Sequence, residues 1–316
     1  MLSYDWLKIV ATVLGVILGW ELIFTTSATR IMPSQQFGIY NYMGSSVTAR
    51  FNSYSSSLQN VFSHEVYEIV VGDLTVGDEA YLYQITEGRL TTNEIDVVFA
   101  PDVEGNTSVE YQKEPNGEVF KTTHLEDFLY RYTNYLHRLD GEDGYLKRME
   151  NYLNGYFNGD YKNGKLDEGK IETDFRSYVA SSKDKRYKNE ESISLGVQGE
   201  IERIKGYRAS LVDFYSYLDA GYIALTEKTL YKRNGDSIFE LTGAYSINVC
   251  PNEKMEDLKR DAYYRVTDEE SNQTKTTALN MNVVFIKDGS RESFEFENLA
   301  FVNKLVKTHC SELNKA

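Results

Sequence analysis

QFGIY at residues 36–40, YEIVV at 67–71 and IDVVFA at 95–100 are three short apolar runs, and their spacing decides the fold. The first alternates like a half-buried strand and ends at Asn41-Tyr42-Met43-Gly44. The second and third are continuous, as in strands buried on both faces, and stop at Gly72-Asp73 and Pro101-Asp102. Between the first two, Val47, Phe51, Tyr54, Leu58 and Val61 recur at helical spacing behind Ser46, a helix-capping type. Between the second and third, Asp78 precedes a helical pattern through Leu82, Ile85 and Arg89. Strand, helix, strand, helix, strand with short connections predicts a parallel sheet with crossover helices, hence an α/β fold.

Ligands of open parallel sheets lie beyond the carboxyl ends of the strands. Here those ends carry Asn41, Tyr42, Asp73 and Asp102. An amide, an aromatic ring and two carboxylates along one edge can grip hydroxyls or an amine, so these four are the candidate ligand residues. Strand ends are also rich in Asn, Gly, Asp and Pro for reasons of turn geometry alone.

Upstream lies WLKIVATVLGVILGWELIF, Trp6 to Phe24, with the two tryptophans of the chain near its ends. This is about the ~20 residues that a helix needs to cross the hydrocarbon core, with its aromatic rings at the interfaces. The n-region carries Asp5 against Lys8, and Thr26-Ser27-Ala28 is a poor cleavage site, so an uncleaved signal-anchor over residues 1–30 is expected. The short stub before it favours export of residues 31–316, giving a single-pass cell-membrane protein with an extracellular C-terminal part. Ala11, Gly15 and Gly19 form a stripe at four-residue spacing, along which a second membrane helix, of the same chain or of a multi-pass partner, can pack.

Beyond the third run, Val109 and Tyr111 face Val119 and Phe120 across Asn116-Gly117, a predicted hairpin. Thr123-His124-Leu125-Glu126 has capping-box spacing and opens a helix through Phe128, Leu129, Tyr132, Leu136 and Leu139. Tyr145 to Tyr156 and Ile201 to Leu218 read as further helices. Residues 222–231 and 238–249 read as strands around Asn234-Gly235, Met281 to Ile286 as a buried strand, and 295–309 as a last helix. The exported part thus divides into 36–122 plus 221–316 around a helical middle, 123–220.

Composition narrows the function. The net charge of −14 belongs wholly to residues 31–316, because Asp5 and Glu21 cancel Lys8 and Arg30. Such a domain is repelled by nucleic acid and by anionic lipid surfaces. Two cysteines, Cys250 and Cys310, suit a disulfide closing a loop of about 60 residues, worth roughly 4 kcal/mol, or two buried thiols. With four scattered histidines they form no metal-ligand spacing, and no cofactor motif is present.

Catalytic signatures are missing. His64-Glu65 lacks the second histidine of a zinc-peptidase helix, since Glu68 stands in its place. Ser182-Lys183-Asp184-Lys185 matches SxxK without its companion motifs. The oxygen-rich run from Asn158 to Glu168 misses the calcium-loop offsets by a residue. Asn106-Thr107-Ser108 and Asn272-Gln273-Thr274 are glycosylation sequons. No enzyme is expected. Twenty-five tyrosines suit stacking on sugars, although many lie at helical core spacing.

Two resemblances follow. The opening YDWLKIV with FTTSATRIMPSQQFGIYNYMG resembles a group of Gram-positive one-helix membrane proteins. The element order from Gln36 to Asp102, with its DVVFAP-like third strand, is similar to the first lobe of extracellular solute-binding proteins of ABC importers. That resemblance implies a type II periplasmic-binding-protein-like domain, a sugar or oligosaccharide ligand and an ABC permease as membrane partner. The expected function is a solute-binding-like or accessory component of an importer. The alternative is a surface-exposed structural or interaction protein without a small-molecule site.

Overall fold

Strand β1 (Gln36–Asn41) lies between two parallel neighbours, β3 (Glu68–Asp73) and β4 (Val97–Pro101). Ile39 sits opposite Val71 on one side and Val97 on the other. These are the three runs of the sequence, paired in parallel as predicted. The computed structural model describes residues 5–27, 36–48, 50–51, 68–74, 79–103, 110–112, 119–182, 184, 186–234, 237–267, 273–287 and 296–313.

Beyond β4 the sheet turns antiparallel through β11 (Met281–Phe285), β8 (Ser237–Asn248) and β7 (Ala224–Asn234), in the order β3-β1-β4-β11-β8-β7. Strands from both ends of the chain therefore share one mixed sheet, and the class is α/β.

Alternation along β4 splits the core in two. Val97 and Phe99 face one cluster, with Ile201, Ile204, Leu211 and Phe214 of α6 (Glu190–Asp219) and Leu299, Phe301 and Val302 of α7 (Glu297–His309). Val98 and Ala100 face the other, with Leu82 and Leu90 of α2 (Glu79–Thr91) and Leu125, Phe128 and Leu129 of α3 (His124–Tyr132). Buried on both faces, the strand can be apolar throughout, as IDVVFA is. At the centre of the first cluster Phe301 meets Phe37, Phe51 and Phe99 at ring separations of 5.5, 5.6 and 6.1 Å. Such aromatic pairs add about 0.5–1.5 kcal/mol each beyond their area. Helices α4 (Tyr145–Asn154) and α5 (Glu168–Ser182) complete the helical middle, α4 through Met149 and Leu153.

Several expectations are corrected. Ser46 caps no helix: Ser45–Val47 is a strand, β2, paired antiparallel with β9 (Ala262–Thr267), which also pairs with β10 (Thr274–Thr277). The hydroxyl of Ser46's neighbour Ser45 donates to the Tyr42 carbonyl at 2.8 Å and lies 3.2 Å from that of Phe99. Tyr54, Leu58 and Val61 of that expected helix lie outside the described residues, as do Tyr67, Asp78, Val109, Asn116-Gly117, His64-Glu65, Lys183, Lys185, Asn106 and Asn272. Helix α2 turns Thr86 rather than Ile85 inward, leaving Ile85 42% exposed. Helix α3 stops at Tyr132, because the sheet captures the next residues: His137 donates its N–H to Phe285, Leu139 to Ala244, and Leu136 bridges Ile286. The hairpin forms as β5 (Glu110–Gln112) and β6 (Val119–Lys121), with Tyr111 opposite Phe120.

Met1–Met32 forms a separate unit from Pro33–Ala316. It contains α1 (Asp5–Ser27), whose described side chains, Trp6 and Lys8–Glu21, are all exposed. Among the described residues no helix is long and apolar enough to cross a membrane, so the span expected over Trp6–Phe24 is not found among them.

Candidate functional site

The predicted ligand residues follow the three parallel strand ends, and they part company there. Asn41 is buried, and its Nδ2 donates to the Ser45 carbonyl at 2.9 Å and to Oδ1 of exposed Asp73 at 3.0 Å. Amide and carboxylate are thus brought together at the rim of β1 and β3. Tyr42 turns the other way. Its ring meets Phe128 and Tyr132 edge-on, and its hydroxyl donates to Oδ2 of Asp127 at 2.6 Å in the core. Burial first, and the Asp127 charge second, push the Tyr42 phenol far above its ordinary pKa. Tyr42 is therefore a core residue, fully buried among the described residues.

Asp102, after β4, joins a different set. Its Oδ1 accepts from the Thr123 hydroxyl at 2.8 Å and from Nζ of Lys228 at 2.9 Å. Lys228, from β7, also donates to Oε1 of Glu126 at 2.8 Å. Glu126 is held by the predicted capping box: its Oε2 accepts from the Thr123 N–H, while Thr123 Oγ1 accepts from the Glu126 N–H. The three charged side chains keep 18%, 21% and 25% exposure for Lys228, Asp102 and Glu126, so the cluster is partly buried. Burial works to lower the Lys228 pKa. The hydrogen bonds and charges of Glu126 and Asp102 outweigh it and hold the ammonium above the usual lysine range.

One helical turn beyond Glu126, on the same face of α3, the Tyr130 hydroxyl reaches the Thr229 carbonyl of β7. Below, fully buried Asn282 of β11 accepts from the hydroxyls of Thr226 and Ser246 at 2.7 and 3.0 Å, a polar seam across the three antiparallel strands. A buried polar group costs stability unless satisfied, and this one is. Sequence reading missed Lys228, Glu126, Tyr130 and Asn282 as site residues. Glu126 was legible only as a cap. A lysine between Leu225 and Leu230 in a strand was the available signal for Lys228.

The remaining polar clusters brace elements. Arg203 bonds Glu200, Tyr207 at 3.1 Å and Tyr152 at 3.1 Å, and Tyr207 donates to Glu297 at the start of α7. His309 and Asp261, both buried, pair at 3.1 Å and tie the end of α7 to the strand β9. Cys250 and Cys310 are free, buried thiols, so the bridge considered from the sequence is not formed; Cys250 Sγ points at its own turn, 3.6 Å from the Asn252 carbonyl. Burial pushes the Cys250 thiol up to about 12. Among the described residues no group of three or more His, Cys, Asp or Glu is placed to hold a metal ion.

No protein-family model, no curated protein and no solved structure matches this chain.

Proposed function

We propose that this is a membrane-anchored extracytoplasmic protein whose α/β unit serves as a solute-binding-like or accessory component of an ABC importer. The observation that carries the reading is the surface of α1. Ile9, Val13, Val16, Leu18 and Trp20 are each more than half exposed, at 63, 51, 66, 62 and 69%. At about 100° per residue the exposed apolar side chains wrap over half the helix, and Ala11, Gly15 and Gly19 fill most of the rest. With Leu22, Ile23 and Phe24 of the sequence, the run reaches the ~20 residues of a bilayer span. Water is a poor solvent for such a helix, and a bilayer is a good one.

The α/β unit supports the second half of the reading. Its parallel strands β3, β1 and β4 direct their carboxyl ends to one edge, where sheets of this kind hold ligands. The polar residues around Asp102 stand at that edge. A degenerate, type II periplasmic-binding-like unit, with a sugar or oligosaccharide ligand and a permease packed on the Ala11/Gly15/Gly19 stripe, is the form that the element order favours. Burial of Tyr42 favours the second reading, a surface interaction protein with no small-molecule site.

Alkaline carbonate extraction and protease treatment of intact cells expressing the full chain test the anchor and its orientation. The reading expects the protein to stay with membranes and residues 33–316 to be cut from outside. Release into the carbonate supernatant overturns it.

A further inference from the structure

We propose that α2 is a hinged cover that lifts from the sheet as a unit, pivoting at Asn93, while β1 and β4 beneath it stay folded. Such a device belongs to the α/β unit and holds whether or not α1 is a membrane anchor.

The helix is thinly buried. Of its described side chains only Leu82, Thr86 and Leu90 are buried, a stripe one residue wide, whereas α3 buries Leu125, Asp127, Phe128, Leu129 and Tyr132 within nine residues. Tyr81 and Ile85 are exposed. At the middle of the stripe the Thr86 hydroxyl comes close enough to Tyr132 of α3 to act on its phenol, yet among the described residues neither oxygen completes a hydrogen bond. Two buried hydroxyls without partners weaken the contact where a helix fixed in place would be tightest. Gly88, inside the helix, loosens its backbone further.

Two arginine–tyrosine contacts, one on each side of Thr86, clip the helix down. Arg89 donates from Nη1 to the Tyr40 hydroxyl of β1 at 2.8 Å, with its guanidinium 5.1 Å from the ring centre. Arg131 of α3 stacks on Tyr83 at 3.7 Å. Both guanidiniums reach water in part, so these clips can part while the strands stay paired. The C-terminal end is held differently. Thr92, Asn93 and Glu94 donate their N–H groups to the carbonyls of Gly88, Leu90 and Arg89, and Asn93 takes the left-handed conformation at φ 55°. The Glu94 carbonyl abuts Gly38 of β1, which anchors the chain at the pivot. The face that lifting bares belongs to the second core cluster, with Tyr40, Val98 and Ala100 of β1 and β4.

Hydrogen exchange of the full chain in lipid nanodiscs, read by mass spectrometry, tests the cover. A 13-residue helix has little stability alone in water, so a lifted α2 exchanges its amides. Peptides of α2 are expected to exchange on the order of a hundredfold faster than those of β4. Thr86→Val, which removes one unpartnered hydroxyl and keeps the shape, should slow α2 about tenfold. Arg89→Met, which keeps the stem and loses the clip, should speed α2 about tenfold, with β4 unchanged in both variants. Peptides of α2 as slow as those of β4 overturn the hinged cover. Equal shifts of α2 and β4 in either variant overturn it too, since α2 would then open only with the sheet. An α2 rate unmoved by both variants overturns the roles given to Thr86 and Arg89. Should a variant lose its cooperative melt, the wild-type comparison of α2 with β4 decides alone.

Discussion

Tyr42 and Asp127 are joined by a 2.6 Å hydrogen bond, the phenol donating to a carboxylate that is 2% exposed. The bond ties the loop after β1 to α3, and Arg131 also donates to Asp127, at 2.9 Å. Removing only the hydroxyl, in Tyr42→Phe, keeps the ring packing and deprives a buried charge of a donor. Hydrogen bonds to charged groups are worth about 1.5–3 kcal/mol, so Tyr42→Phe should lower stability by that amount in urea denaturation. A loss under about 0.5 kcal/mol would show that the carboxylate finds another partner.

Gly38 and Gly88 should respond in opposite directions to the same substitution. A Cβ on Gly38 of β1 would lie 2.0 Å from the Glu94 carbonyl oxygen, a backbone atom, while the Gly38 N–H donates to Asp96 at 2.6 Å. Gly38→Ala must push two chain segments apart and should cost on the order of 3 kcal/mol. At Gly88, exposed in the interior of α2, nothing lies within 4 Å of an added Cβ. Gly88→Ala should stabilise by about 0.5–1 kcal/mol through backbone entropy. Thermal melts of the two variants check both signs.

The free thiols make a chemical prediction. With Cys250 and Cys310 buried and unbridged, alkylation of the native protein should label neither, and alkylation in denaturant without reductant should label both. A mass unchanged by alkylation in denaturant until reductant is added would mean a disulfide, and the packing around α7 would have to differ.

How far the sequence spoke depends on how local each feature is. The strands β1, β3 and β4 are runs of adjacent apolar residues, and the Thr123/Glu126 cap is a four-residue pattern, so both were legible. Strand β11 was legible as a strand but not as the neighbour of β4, because that pairing joins residues 180 apart, Met281 and Pro101. The same distance hid the site: Lys228 meets Asp102 across 126 positions. Strands β2 and β10, SSV and TKTT, carry no hydrophobic alternation and exist because β9 offers them an edge. Leu136 and Leu139 kept helical spacing after the chain had left the helix, since hydrogen bonds to the sheet, not periodicity, place them. Of the four predicted ligand residues, Asp102 and Asp73 stand at the surface edge, and Tyr42 could be recognised as core only once α3 was seen above it.

Acid sensitivity should trace to His137. Its Nδ1 lies 3.0 Å from Nη2 of Arg148, and a guanidinium can only donate, so Nδ1 accepts and the ring is neutral. Burial first, then the charges of Arg148 and Lys287, push its pKa down to about 3. The unfolded chain protonates near pH 6.5, so between pH 6.5 and about 3 the unfolded state binds the extra proton. Stability then rises with pH across that window, and falls on acidification by up to about 1.4 kcal/mol per pH unit from this group. His309, also lowered by burial despite Asp261, adds in the same direction. Asp140, whose pKa is lowered chiefly by its hydrogen bond to Arg138, acts only further down, below the usual carboxylate range. His137→Gln, which keeps an acceptor for Arg148 and cannot titrate, should flatten the slope between pH 6 and 4.5 in a series of urea melts. An unchanged slope would assign the acid limb to the other two histidines whose pKa burial lowers, His309 and His124, and His309→Gln and His124→Gln would then separate them.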